Sequence, residues 1–396
     1  MAEIDILPDA RPKAPATGRE DWRAAGFGVY LHWPFCLAKC PYCDFNSHVS
    51  RQIDQPRWRD ALIREMEAMR ALTGPRRADT IFFGGGTPSL MPAETVGALI
   101  ETADRLWGLA PGAEITLEAN PTSVEAARLR AYAAAGVNRA SMGAQALNDA
   151  DLRRLGRTHS AAEARAAFDV ARSAFSRVSF DLIYARQDQT TEAWAAELSE
   201  AISLAADHLS LYQLTIEPGT RFAELHARGG LRGLPADSRA ADMYDATQEI
   251  TAAAGLPAYE ISNHARPGAE SRHNLIYWRY GDYAGIGPGA HGRLTLDGRR
   301  FATETPRDPA EWLKGAPIAP EPLPDGAPAD EYALMSLRLV EGMALDRYAK
   351  LARAPLAAER VAPLIADGLL HETAGRLAAT AKGRPLLNAI LGALLA

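Results

Sequence analysis

Cysteine is nearly absent from this chain. Three occur in 396 residues, and all three lie within eight positions, as Cys36, Cys40 and Cys43. An odd number of neighbouring cysteines in one short stretch excludes a disulfide framework, and a chain of this length does not need one. No run of 18 apolar residues is present, so no helix is expected to span a membrane. The first residues, MAEIDILPDARPKAPATGRE, lack the basic start and apolar stretch of a signal peptide and read as a disordered tail. Net positive charge is also missing. The balance is −6, which gives no global attraction to nucleic acid or to an anionic membrane surface. There is no C-x-x-C-H site for covalent haem, no internal repeat, and no dinucleotide-type glycine turn after the first strand candidate. Unpaired thiols fit a reducing compartment, so a cytoplasmic location is expected.

What is present begins with those cysteines, in FCLAKCPYC. A single catalytic thiol would need one of them. Structural zinc usually takes four ligands, so it would have to recruit His32 or His48. A [4Fe–4S] cluster has four irons and usually four thiolates, so three would leave one iron open to an outside ligand. Spacings of three and then two residues let one loop wrap three corners of such a cube.

The rest of the chain alternates. Strand candidates at 28–33, 79–85, 114–120, 138–145, 177–184 and 208–215 are separated by helix candidates at 57–72, 92–107, 123–135, 160–174 and 190–206. Repeated β-then-α units predict a parallel sheet with right-handed crossovers, buried on both faces, in a closed or partly closed α/β barrel. The cysteines follow the first strand, so they fall at the C-terminal edge of the sheet, where such folds keep their sites. Further on come a helix near 237–254, a Gly-, Pro- and aromatic-rich stretch, and a compact tail of helices with two short strands around Thr373-Ala374-Gly375. The expected organisation is a tail over 1–25, a barrel over 26–265, an extension and linker over 266–325, and a helical, winged-helix-like module over 326–396. The acidic balance argues against DNA binding by that module.

Polar residues recur where strands end. GGGTPS follows the second strand and offers backbone N–H groups to an anion, although a tight turn would explain it equally. Glu118, Gln145, Arg157 and Asp181 end or follow the next three strands. Each alone could be a surface charge, but their shared edge is informative.

In this order, YLHWPFCLAKCPYC, GGGTPS, LEANP, GAQALND…LGRTHS and SFDLIY resemble the radical S-adenosylmethionine superfamily, and within it the oxygen-independent coproporphyrinogen III oxidase group. The resemblance covers roughly residues 28 to 390. It implies an α/β fold, a partial (β/α)6 TIM-like barrel, and a [4Fe–4S] cluster on Cys36, Cys40 and Cys43, with S-adenosylmethionine beside Tyr30, Tyr42, Gly85, Gly86, Thr87, Glu118, Gln145, Arg157 and Asp181. The oxidases of the group carry a fourth nearby cysteine, where this chain has Phe45. CDFNS and HNLIYW are instead similar to the haem-chaperone branch. One loop departs from the group, with Ala185-Arg186-Gln187 where Gly-Leu-Pro is usual. The branch implies haem as cargo, passed to acceptor haemoproteins by a monomer or dimer. The alternative is decarboxylation of coproporphyrinogen III. With every cysteine assigned to the cluster, the haem candidates are His273 with Tyr277 and Trp278, then His291 and His264. His273 could equally be a structural histidine, and His32 could touch either the cofactor or a porphyrin.

Overall fold

A computed structural model describes residues 22–205 and 207–395. Most of the tail expected over 1–25 lies outside the described residues, and Trp22–Ala24 form a 3-10 turn. The main sheet is built on β1 (Phe27–Trp33). A short β2 (Phe35–Cys36) and β3 (His48–Val49) bracket the cysteine loop and pair with each other in parallel. Then come β4 (Ala78–Gly85), β5 (Leu109–Ala119), β6 (Arg139–Gln145), β7 (Arg177–Tyr184) and β8 (His208–Gln213). These run parallel in the order β1-β4-β5-β6-β7-β8, as repeated β-then-α units require. β8 does not pair with β1, so the barrel is open. The antiparallel β9 (Asn263–Ala265) ends that side.

Local chemistry explains the flanking helices. Gln55–Thr73 starts where the Asp54 side chain accepts the Arg57 N–H, with Pro56 in its first turn, and it stops at Gly74. Ala161–Ala174 opens on a capping box between Ser160 and Glu163. The helix expected over 123–135 divides into Ser123–Ala126 and Leu129–Ala134, because the Arg128 N–H turns to Glu125 O three residues back and tightens the chain.

The opposite edge of the sheet is where sequence and structure diverge. β10 (Asp282–Ile286) pairs in parallel with β1, and β11 (His291–Leu296), β12 (Arg299–Glu304) and β13 (Glu321–Pro322) extend the same sheet antiparallel. The stretch read as an extension and linker thus supplies four strands. Its glycines hid them, and one has a packing reason: a Cβ on Gly281 would stand 2.8 Å from Gly26 O.

The strands are buried on both faces, but the faces differ. Phe27, Val29, Leu31 and Trp33 face the helices in a large apolar core. The alternate residues Gly28, Tyr30 and His32 face inward, towards buried polar groups on the neighbouring strands. Burial obliges those groups to pair: Ser179 Oγ is 2.7 Å from His208 Nδ1, and Thr80 Oγ1 is 2.6 Å from His273 Nδ1. The helix Arg272–Trp278 packs on this inner face, so close to β1 that a Cβ on Gly28 would lie 3.1 Å from the His273 ring.

The C-terminal region has its own apolar cluster around Tyr332, Leu337, Leu377 and Ile390. There β14 (Met343–Ala344), β15 (Leu370–Thr373) and β16 (Arg376–Ala379) form a three-stranded antiparallel sheet in the order β14-β16-β15. Helices Ala327–Ser336, Leu345–Ala352, Ala358–Ala366 and Leu387–Leu395 surround it. Among the described residues, no helix is long and apolar enough to cross a membrane.

Candidate functional site

Pairing of Phe35 with His48 and of Cys36 with Val49 closes the cysteine loop at its base. Cys36, Cys40 and Cys43 then face one cavity of about 180 Å³ at the C-terminal edge of the parallel strands. Tyr42, Gly85, Gly86, Thr87, Glu118, Gln145, Arg157 and Asp181 line the same cavity. Thr87 Oγ1 is 3.3 Å from Cys36 Sγ, and Arg157 Nη1 is 3.3 Å from Cys40 Sγ. Burial pushes the Cys36 and Cys43 thiols above their ordinary pKa. Among the described residues, no three His, Cys, Asp or Glu side chains could hold a single metal ion.

The glycine turn does a different task from the one its sequence suggests. The N–H groups of Gly86 and Thr87 donate to Trp33 O and Phe35 O at 2.7 and 2.8 Å, so they are not free for an anion. A Cβ on Gly86 would stand 2.7 Å from Phe35 O, and one on Gly85, at φ +111°, 2.6 Å from the His32 ring. Glycine is needed here so that the turn can press against the start of the cysteine loop.

Glu118 and Asp181 face each other across the floor. Both reach solvent through the cavity, with protein on every other side. Burial, reinforced by Asp181, raises the Glu118 carboxyl to about 8, against a lowering bond from the Gly85 N–H. Burial raises Asp181 to about 6, opposed by Ser210 and Arg139. Asp181 Oδ1 and Arg157 Nε are buried without a hydrogen-bond partner. Arg157 is held through Nη2 by Asn120 Oδ1 and by Gly143 O at 2.8 Å. Gln145 takes φ +69° at a register shift in β6, a backbone conformation seldom adopted without a local reason. Thiols, two carboxyls and a guanidinium with orphaned atoms suit a ligand that is itself charged and zwitterionic.

A second cavity of about 450 Å³ adjoins the first and shares Phe45, Gly85 and Glu118 with it. Tyr30 and His32 wall this second cavity, and neither lines the first. Tyr277, Trp278, Tyr283, His291, Arg307 and Met335 complete much of its wall. His32 has both nitrogens engaged. Nε2 donates to Asn46 O at 2.9 Å, which leaves Nδ1 to accept the Tyr30 hydroxyl at 2.9 Å.

His273 does not line either cavity. It is 1% exposed, between Thr80 and the Tyr277 hydroxyl (2.7 Å from Nε2), and it stacks on Phe82 with centroids 5.0 Å apart. Burial lowers it to about 3, so it is neutral with both nitrogens occupied. His264 is equally buried, on β9. His291 differs, because its ring is 57% exposed at the second cavity and 3.7 Å from Glu304. Residues missed in the sequence include Asn120, which stood within LEANP, and Asn46, which stood within CDFNS. Arg307 and Met335 carried no signal.

The departing loop has a structural counterpart. Ala185 takes φ +58°, a conformation glycine adopts at little cost. Arg186 forms buried ion pairs with Glu197 and with Asp151, the latter at 2.9 Å.

Comparison with known proteins places this geometry. The Radical SAM superfamily model matches residues 30–198, and the HemN C-terminal domain model matches residues 327–386. Heme chaperone HemW of Escherichia coli (strain K12) is 39% identical, with 93% of this chain covering 98% of that protein. Heme chaperone HemW of Mycobacterium tuberculosis (strain ATCC 25618 / H37Rv) is 38% identical over 93% of this chain and 95% of that one. The mitochondrial Radical S-adenosyl methionine domain-containing protein 1 of Bos taurus is 40% identical over 85% and 76% respectively. Among solved structures, the coproporphyrinogen III oxidase HemN of Escherichia coli, a radical SAM enzyme, superposes with a TM-score of 0.78 over 93% of this chain and 90% of that one. At 24% identity that likeness concerns the fold alone. Similarity along nearly the whole length of a HemW sequence settles membership: the chain belongs to the HemW family within the radical SAM superfamily.

Proposed function

We propose that this protein is a haem chaperone that binds haem and passes it to acceptor haemoproteins, using a [4Fe–4S] cluster and S-adenosylmethionine. One observation carries the reading: a cavity rimmed by three thiols adjoins a larger cavity rich in aromatic residues, with Phe45, Gly85 and Glu118 lining both. The superfamily implies the cluster and the cofactor, and the relatives' names supply haem and the chaperone role.

Cys36, Cys40 and Cys43 would hold three irons as thiolates. Glu118 is suited to the ammonium of S-adenosylmethionine, and Arg157 to its carboxylate. Asp181 and Gln145 would meet the ribose, Tyr42 the rim, and Gly85, Gly86 and Thr87 the wall. When bound, the cluster and cofactor supply one-electron reductive cleavage of a carbon–sulfur bond. The surrounding protein keeps water from that centre.

For haem, Tyr277 and Trp278 offer flat faces, and His291 offers a nitrogen in place of the buried His273. The tail, barrel, extension and C-terminal module are proposed with the boundaries given above, in a cytoplasmic protein, as monomer or dimer.

The test is anaerobic reconstitution, haem titration and a turnover assay on one preparation. The proposal expects saturable haem binding and no protoporphyrinogen from coproporphyrinogen III with cofactor and a strong reductant. Turnover at about 1 per second, or even a hundredfold slower, would establish the oxidase instead.

A further inference from the structure

We propose that Asn46 is a positioning residue that couples the cluster loop to the wall of the second cavity, so that ordering the loop on its cluster tightens haem binding. The proposal rests on the reading that the second cavity takes haem. It adds a residue and a linkage that neither the motif nor the fold implies.

Asn46 lies three residues beyond Cys43, in a segment from Leu37 to Ser47 that contains no helix or strand. Its side chain reaches far across the chain. Nδ2 donates to Pro288 O at 2.9 Å and to Arg307 O at 2.9 Å. One of these carbonyls belongs to the loop that leads into His291, and the other to Arg307 itself. Both His291 and Arg307 wall the second cavity. Oδ1 faces His48 Nε2 at 3.1 Å, and the backbone carbonyl takes the His32 Nε2–H. Every polar group of the side chain is thus assigned: Oδ1 stays within the loop, at His48, while the Nδ2 bonds and the backbone carbonyl join the loop to His32, to Arg307 and to the turn before Gly289, three residues that wall the second cavity.

The opposing loop is shaped to receive it. Gly289 takes φ +72°, and a Cβ there would stand 2.6 Å from Asn46 Nδ2. The loop is firm apart from Asn46. Gly287 N–H donates to Glu65 Oε2 at 2.6 Å, and Gly289 N–H donates to Pro306 O at 2.9 Å. Between a firm loop and a segment without regular structure, the segment is the one whose order depends on what it binds. Three iron–thiolate bonds would fix it at Cys40 and Cys43 within it and at Cys36 at its base, and hold the two Asn46 donors in place. Haem would then meet a wall already ordered and lose less conformational freedom on binding. By linkage, haem would tighten the hold on the cluster by the same factor.

The experiment measures haem affinity by Soret titration of the full chain, with and without the reconstituted cluster and without S-adenosylmethionine. Four proteins are compared: wild type, Asn46→Asp, Asn46→Ala and Gly289→Ala. Asn46→Asp keeps the shape and the Oδ1 acceptor but cannot donate to the two carbonyls. Wild type should bind haem at least about fivefold more tightly with the cluster than without it. In Asn46→Asp and Asn46→Ala that ratio should fall to about one, with iron content per chain unchanged. Gly289→Ala should lose the ratio in the same way, by pushing Nδ2 off its acceptors from the other side. A wild-type ratio of one overturns the proposal, and so does a ratio that survives in both Asn46 variants. A general loss of packing would instead lower both affinities and leave the ratio in place, which also counts against it. Absence of haem binding in either form of the wild type would overturn the chaperone reading itself, a distinct result from a lost ratio.

Discussion

The two cavities sit side by side and are made in different ways. The first is assembled from successive parallel strands, the segments that follow them and the loop after β1: Glu118 and Gln145 lie at the ends of β5 and β6, Asp181 within β7, and Arg157 beyond the helix after β6. The second gathers Tyr30 from the first strand, Asn46 from a loop, Trp278 from a helix, His291 and Arg307 from the added strands and their loops, and Met335 from the C-terminal region. The first leaves polar atoms without partners, Asp181 Oδ1 and Arg157 Nε, beside a Glu118 carboxyl raised by burial. The second is richer in aromatic rings; His32, Asn46 and Tyr277 there are hydrogen-bonded to other protein groups, while the Trp278 indole N–H is buried without a partner. If the first cavity takes the charged cofactor and the second the flat haem, as proposed, the two should respond differently to mutation and to pH.

The largest break in this comparison should come from the thiols. Replacing any one of Cys36, Cys40 or Cys43 by Ala should take bound iron from about four per chain to near zero, measured by iron and sulfide analysis after anaerobic reconstitution. The second cavity should still bind haem. A preparation that keeps one zinc and takes no iron would contradict the cluster.

Next in size is Glu118. Losing a charge-assisted hydrogen bond should weaken S-adenosylmethionine binding by roughly 1.5–3 kcal/mol in Glu118→Ala, with the cluster spectrum intact, as calorimetry can measure. The pH dependence has a definite sign. A carboxyl raised to about 8 is mainly protonated at neutral pH, and an ammonium ligand needs it ionised. Affinity should therefore rise with pH up to about 8 and then level off. Stability of the ligand-free protein should run the other way. A raised pKa favours the protonated fold, so this contribution is complete below the unfolded value, near 4.5, and is lost as pH rises through about 8. Glu118→Gln should remove that loss, seen as a flatter urea midpoint between pH 6 and 9.

His273 tests the second cavity's foundation. His273→Ala should cost roughly 1–3 kcal/mol of stability in urea unfolding, because Thr80 and Tyr277 lose a buried partner. Its pKa is depressed, so its contribution is present above the unfolded value of 6.5 and is lost as pH falls towards about 3. Wild type should therefore lose stability more steeply than the variant below pH 6.5. Haem affinity is measured in the same variant, and a fall without a changed Soret band would mark a support for Tyr277 rather than a ligand.

The smallest effect is expected at the exposed end. His291→Ala should shift the Soret band and weaken haem a few-fold, on the order of 1 kcal/mol, since an exposed ring replaced by water or another group loses little. An unchanged band would leave Tyr277 as the next residue to test.

Much of this was legible in the sequence. The cysteine spacing, the six strand–helix units and the strand-edge residues are local or periodic signals, so a linear pattern carries them. Sequence alone thus pointed to the parallel sheet, the clustered thiols and the polar residues Glu118, Gln145, Arg157 and Asp181 that line one cavity with them; whether the barrel closed was left to the structure. It did not determine that GGGTPS would spend its N–H groups on the cysteine loop, because only the approach of Phe35 and Trp33 decides that. It could not seat His273 beneath the cavity or His291 at it, since the two lie in similar Gly- and aromatic-rich surroundings and differ in burial alone. Nor could it join β10 to β1, a pairing between segments some 250 residues apart whose partners are chosen by packing rather than by propensity. Tertiary structure decided the second cavity, the raised carboxyls and the bridge at Asn46 for one reason: desolvation and hydrogen bonding act through space, between residues whose distance along the chain carries no information.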